Sequence, residues 1–88
     1  MAARLPPLVP SAPDYVIAHL IREYREATGM TQEQAALEAG IHRAQYGRYE
    51  RGDDIVTVPK ALQIMRALGV SPSTFAEEAD RRLRAAER

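Results

Sequence analysis

The sequence predicts an all-α protein, a compact bundle of five helices whose last member is extended. Three observations carry this. Apolar residues recur at spacings of three and four along most of the chain. These runs stop at Gly29, Gly40, Gly52 and Gly69, and glycine is suited to end a helix. Start signals stand where the next run begins, at Thr31, Thr57 and Ser71. With 88 residues the chain has room for one small core, burying about 60% or slightly more of the unfolded surface.

Residues 1–13 hold Pro6, Pro7, Pro10 and Pro13 and are expected to form an extended, mobile arm. Arg4 is its single charge, which suits a groove-inserting arm poorly. The folded domain is expected over residues 14–88. Its first helix runs from Asp14 to near Gly29, with Val16, Ile17, Leu20, Ile21 and Tyr24 as its apolar stripe and Ser11 or Asp14 as its cap. Thr31 followed three residues later by Gln34 is a capping box, so a second helix begins at Thr31 and ends before Gly40. A third covers residues 42–51 after the connecting Ile41 and is closed by Gly52. A loop, "DDIVTV", leads to Thr57 as the cap of a fourth helix. That helix tolerates Pro59 in its first turn and buries Val58, Ala61, Leu62, Met65 and Leu68. The fifth helix spans residues 72–87, with Phe75, Ala79, Leu83 and Ala86 along one side.

Composition narrows the function. The chain is 45% apolar and 27% charged, with four tyrosines and one phenylalanine, as expected of a globular protein and not of a disordered one. It has no cysteine, which excludes disulfides and thiolate metal sites and fits a reducing cytoplasm. The prolines interrupt the N-terminal apolar residues, so no secretory signal is expected, and no run is long enough for a membrane span. His19 and His42 stand 23 residues apart, without metal-ligand spacing. No nucleophile, base and orienting group share a recognisable spacing. Neither enzymatic activity, nor a metal, nor a cofactor is expected. Twelve basic and twelve acidic residues cancel, so binding to a polyanion must come from local placement.

Residues 40–52, "GIHRAQYGRYERG", supply such a placement. On a helical wheel Tyr46 and Tyr49 share one side, while Ala44, Gly47, Arg48 and Arg51 gather opposite, with Arg43 beside them. The tyrosines are the only large apolar residues of this helix, so their side faces the core and the arginine side faces out. Arginine can bond guanine bidentately or grip phosphate, alanine can touch a thymine methyl, and glycine permits close approach. Glycine inside a helix costs about 1 kcal/mol relative to alanine, so Gly47 asks for a reason. The preceding helix, the tight turn at Gly40 and this helix together make a helix-turn-helix, whose second helix fits a major groove. Ala36 is small enough for the two helices to cross closely. Gln32, in the first turn of the leading helix, stands where a phosphate would meet free backbone N–H groups.

The stretches "IREYREATGMTQEQAALEAGI", "RYERG" and "ALQIMRALGVS", within residues 14–75, resemble the Cro-repressor type (Xre-like) helix-turn-helix family. The resemblance implies a five-helix domain that binds operator DNA, usually as a dimer. It implies that Gln32 holds phosphate and that Arg43, Ala44, Gly47 and Arg48 face base edges. It also implies an ion pair between Arg25 and Glu50. The full DNA-contacting set expected is Gln32, Arg43, Ala44, Gln45, Gly47, Arg48 and Arg51. The expected function is a sequence-specific transcriptional regulator, a repressor, dimeric on a near-palindromic double-stranded site.

Several positions depart from the family pattern. Ala35 and Ala39 replace larger residues, and Tyr46 and Tyr49 replace branched aliphatics, so the tyrosines are expected to fill the volume the alanines leave. Leu37 stands where a polar residue is usual. His42 replaces a Ser or Thr cap, expected to weaken the helix start by about 0.5–2 kcal/mol unless something compensates. Asp53 and Asp54 stand where basic residues often meet the DNA backbone and are expected to repel phosphate. The fifth helix carries acids early and arginines late, with Glu77–Arg81, Glu78–Arg82 and Asp80–Arg84 as expected i,i+4 pairs. Its apolar stripe through Leu83 and Ala86 is the expected dimer contact. The alternative function is an antitoxin-like or adaptor module that grips a partner protein with the same fold, favoured by the neutral charge and the acidic loop.

Overall fold

The computed structural model describes residues 12–86, which form five helices joined by short turns, with no strand among the described residues. Helix α1 spans Ala12–Thr28, two residues longer at its start than the periodicity suggests. Pro13 is compatible with this position because the first helical N–H groups have no intrahelical acceptor to lose. Asp14 lies in the first turn, where a negative charge complements the helix dipole. Residues 1–11, which hold most of the expected arm and the candidate cap Ser11, lie outside the described residues, as does residue 87 at the expected end of the fifth helix.

Helix α2 spans Gln32–Ala39 and begins with the capping box. The Thr31 hydroxyl accepts from the Gln34 N–H at 3.1 Å, and the Gln34 side-chain oxygen accepts from the Thr31 N–H at 2.8 Å. Two otherwise orphaned donors are thereby satisfied. Gly40 ends the helix at φ 70°, a left-handed conformation that allows the chain to turn within three residues. The Ile41 N–H then closes on the Ala36 carbonyl at 3.0 Å. Helix α3 spans Arg43–Arg51. Its cap is compensated after all: the His42 Nδ1 accepts from the Ala44 N–H at 3.2 Å, so an imidazole nitrogen does the work of the missing hydroxyl.

Helix α4 spans Val58–Leu68 and corrects two expectations. Thr57 occupies the N-cap position in extended conformation, but its side chain makes no capping bond. Val58 is 72% exposed, whereas Ile64, absent from the expected stripe, is fully buried with Ala61, Met65 and Leu68; Leu62 is half-buried. The apolar face is rotated toward Ile64 because α4 packs on α1 as well as α2 and is covered from two sides. Helix α5 spans Pro72–Ala86, and the Ser71 hydroxyl accepts from the Thr74 N–H at 3.1 Å to cap it. Along α5, Glu78–Arg82 and Asp80–Arg84 pair as expected. Arg81 pairs with Glu78 at 2.7 Å and not with Glu77, and Arg82 also reaches Glu23 of α1. That last contact ties α5 to α1.

One core joins the first four helices. Ile21, Ala35, Ala36, Ala39, Ile41, Tyr46, Tyr49, Ile64, Met65 and Leu68 form a single buried cluster. Large side chains from α3 thus meet small ones from α2, the exchange of volume that the sequence implied. Phe75 of α5 packs on the same cluster from its edge.

Candidate nucleic-acid interface

The orientation of α3 follows from its two tyrosines. Tyr46 is completely buried and Tyr49 6% exposed, while Arg43, Ala44, Arg48 and Arg51 of the same helix are exposed. Rotating α3 about its axis would bring two aromatic rings into water, so burial of the rings sets which residues project.

A polar anchor holds this orientation from below. Glu50 is buried, its side chain 1% exposed, and takes a two-pronged grip from Arg25 of α1: Nε to Oε2 at 2.6 Å and Nη2 to Oε1 at 3.0 Å. Arg25 also donates to the Met30 carbonyl at 2.9 Å, which locks the turn between α1 and α2. Gln32 donates from Nε2 to Glu50 Oε1 at 3.0 Å. Three helices therefore meet at one carboxylate. Burial pushes the Glu50 carboxyl up, but Arg25 first, then the neighbouring Tyr46 hydroxyl and Gln32, outweigh it and hold the group below the usual carboxylate range.

The Tyr46 hydroxyl lies enclosed beside the same carboxylate, outside ordinary hydrogen-bond geometry but near enough for the two groups to shift one another. Burial first, and then the nearby Glu50, keep this phenol well above its usual range and therefore neutral. A buried hydroxyl without a partner is a cost, so Tyr46→Phe should leave stability unchanged or raise it by about 1 kcal/mol. Urea unfolding at constant m-value reads this. A loss of 1 kcal/mol or more would mean that the hydroxyl bonds Glu50 in solution.

On the outward side Gln32, Arg43, Ala44, Gly47, Arg48 and Arg51 line one open cleft of about 410 Å³ together with Glu33. Six of the seven expected site residues are thus adjacent. Gln45 is not: it is half-buried and donates to Asp54 Oδ2 at 2.6 Å, tying α3 to the following loop. Gly47 is buried where an open surface was expected, because Arg51 folds back over it. A Cβ at Gly47 would stand 3.0 Å from Arg51 Nη1 and 3.7 Å from Gln32 Oε1. The close approach that Gly47 permits is therefore first to this chain's own side chains.

The acidic residues near this surface have partners that sequence spacing could not assign. Asp53 accepts from Arg51 Nε at 2.8 Å, and Glu33 accepts from Arg43 Nη1 at 2.5 Å across the helix-turn-helix. Asp53 and Asp54, expected to confront phosphate, instead bond Arg51 and Gln45. Gln32 gives one N–H of its amide to Glu50, leaving the other, with the backbone N–H groups of the first two residues of α2, as the donors there. Arg48 has no carboxylate partner among the described residues. His19, 68% exposed at its side chain, lies 3.9 Å from Glu23 on α1, away from this surface.

The helix-turn-helix family model matches residues 21–75, which include α2, α3 and α4 entire. The chain belongs to this helix-turn-helix family. Over 79 residues it is 34% identical to an uncharacterized HTH-type transcriptional regulator, y4wC, of Sinorhizobium fredii, covering 90% of this chain and 55% of that protein. It therefore spans about half the length of that relative. It is also 34% identical over 56 residues to the control protein C.SmaI of Serratia marcescens, covering 64% of this chain and 67% of that one. Among solved structures, the restriction-modification controller protein C.Esp1396I, a tetramer in complex with its natural 35 base-pair operator, is similar. It aligns with TM-score 0.76 and 28% identity over 81% of this chain and 93% of that chain. The five-helix all-α architecture expected from the sequence is that of this family, and the resemblance to Xre-like proteins holds.

Among the described residues no helix is long and apolar enough to cross a membrane, and no group of three His, Asp or Glu is placed to hold a metal ion.

Proposed function

We propose that this chain is a sequence-specific DNA-binding transcriptional regulator, a repressor that inserts α3 into the major groove of an operator as one half of a dimer. One observation carries the reading: Tyr46 and Tyr49 are sealed in the core while Arg48 projects beside Ala44 without a carboxylate partner. Such a helix offers a guanidinium fork and a methyl-sized surface to base edges in a groove about 12 Å wide. The operator-bound tetramer of C.Esp1396I supports both the DNA and the self-assembly. Two copies on a near-palindromic site would set their α3 helices about 34 Å apart. The exposed Ala86 and half-buried Leu83 of α5 are the contact we assign to the dimer.

Arg48→Ala tests the base-reading role. Against duplexes selected from a random pool it should cost about 1–3 kcal/mol and relax base preference at one position. Equal loss on every duplex would overturn that role.

A second reading has one observation behind it. Leu37 is 81% exposed beside an apolar cleft of about 400 Å³ lined also by Ala36 and Ile41, a surface that suits a partner protein. Titration in salt separates the two readings: DNA affinity falling steeply with salt supports the regulator, and no DNA retention at low salt supports the interaction module.

A further inference from the structure

Two of the three arginines on α3 are already held by this chain's own carboxylates. Arg43 gives Nη1 to Glu33 at 2.5 Å, and Arg51 gives Nε to Asp53 at 2.8 Å. Glu33 lines the same cleft as Arg43, Arg48 and Arg51. Both pairs are exposed, with side chains 57–68% accessible, so each contributes little to stability and acts by biasing where its guanidinium points. The donors left over are as informative as those used. Among the described residues Arg43 keeps Nε and Nη2 uncommitted, and Arg51 keeps both Nη groups.

We propose that Glu33 and Asp53 are specificity-determining residues of the DNA-binding surface, restraining binding to arbitrary duplex while steadying the arginines for base edges. The proposal rests on the DNA-binding reading above. A complex made only of phosphate contacts draws its affinity from the positive charge of the surface. There Glu33 and Asp53 subtract, because each carboxylate lies within one Debye length, about 8–10 Å, of whatever its arginine grips. A base-reading complex draws instead on the fixed direction of N–H groups. There a carboxylate holding one edge of a guanidinium limits its rotamers and leaves the remaining donors to a bidentate contact, so less freedom is lost on binding. The same side chain therefore weakens one complex and spares the other, which is how discrimination is gained without a new contact to the target. The zero formal charge of the whole chain fits this account, since no excess of distant lysines and arginines restores the lost attraction.

The test uses the full chain and the variants Glu33→Gln, Asp53→Asn and their combination, with Glu77→Gln of α5 as a control that matches the charge change of each single variant. Affinity is measured over a range of salt for a duplex selected from a random pool and for a scrambled duplex, with a thermal melt of each variant to confirm folding. The double variant should bind the scrambled duplex about tenfold more tightly and the selected duplex within about threefold of the wild type, so the ratio between them falls. The salt slope on the scrambled duplex should steepen by about 0.9 for each arginine thereby released to neutralise a phosphate. The control should change neither. Equal gain on both duplexes, no gain on either, or the same gain from the control would overturn the proposal and leave the DNA-binding reading standing. Failure of the wild type to retain any duplex at low salt would overturn both.

Discussion

Arg25→Ala should destabilise the domain by about 3–5 kcal/mol, because it strands a charge in the core without removing the charge itself. Glu50 is 1% exposed at its side chain and receives two of its three hydrogen bonds from Arg25. Gln32 alone cannot compensate for the burial. The dependence on pH should reverse as well. In the wild type the folded-state pKa of Glu50 lies below its usual value near 4.5, so the anchor contributes fully above that value and is lost as acid protonates it. Without Arg25 burial dominates and the folded-state pKa rises above the unfolded one. Stability is then lost as pH climbs through the ordinary carboxylate range. The gap in unfolding free energy between wild type and variant should therefore widen between about pH 4 and pH 7, followed by urea unfolding at each pH. A constant gap would mean that Glu50 is not the stranded group.

Gly52→Ala carries the second large effect. Gly52 closes α3 at φ 74°, and its N–H returns to the Tyr49 carbonyl at 3.3 Å. A side chain in that conformation costs about 1–2 kcal/mol, and here it also meets an aromatic ring. Its Cβ would stand 2.3 Å from Cδ1 and 2.5 Å from Cε1 of the Tyr15 ring. The ring, 53% exposed, must swing toward solvent and give up its packing, adding about 1 kcal/mol for a total of about 2–3 kcal/mol. A double-mutant cycle divides the two parts. In the Tyr15→Ala background the same glycine change should cost only the backbone share. Strict additivity of the two changes would show that the ring does not press on this glycine. Tyr15 of α1 thereby helps to keep the end of α3 in place.

Much of the fold was legible because it is written in local chemistry. Thr31 and Gln34 bond to each other within one turn, so the start of α2 needs nothing from the rest of the chain. The end of α2 at Gly40 is equally local. The inward turn of Tyr46 and Tyr49 was legible too, since α3 has no other large apolar side chain. The apolar face of α4 was less so. Val58 and Ile64 both fit a helical stripe, and the arrangement of α1 and α2 around α4 chose between them. His42 departs from the usual capping residues, which carry an oxygen, yet an imidazole nitrogen in the right rotamer accepts the same bond. At the surface, six of the expected residues gather in one cleft, but their partners could not be read. Glu33 and Arg43 are ten positions apart on different helices, and nothing in their spacing distinguishes that pairing from contact with solvent.

By itself the sequence determined the number of helices, the caps at Thr31 and Ser71, the glycine turns, and which side of α3 carries arginine, because periodicity, capping and glycine termination act within a few residues. Only the tertiary structure decided that Gly47 lies beneath Arg51, that Gln45 and Gln32 are turned to Asp54 and Glu50, and that two arginines already hold carboxylates. Those outcomes depend on the distance between side chains brought together by helix crossing, and electrostatic and hydrogen-bond energies at a surface are settled by ångströms that no spacing along the chain encodes.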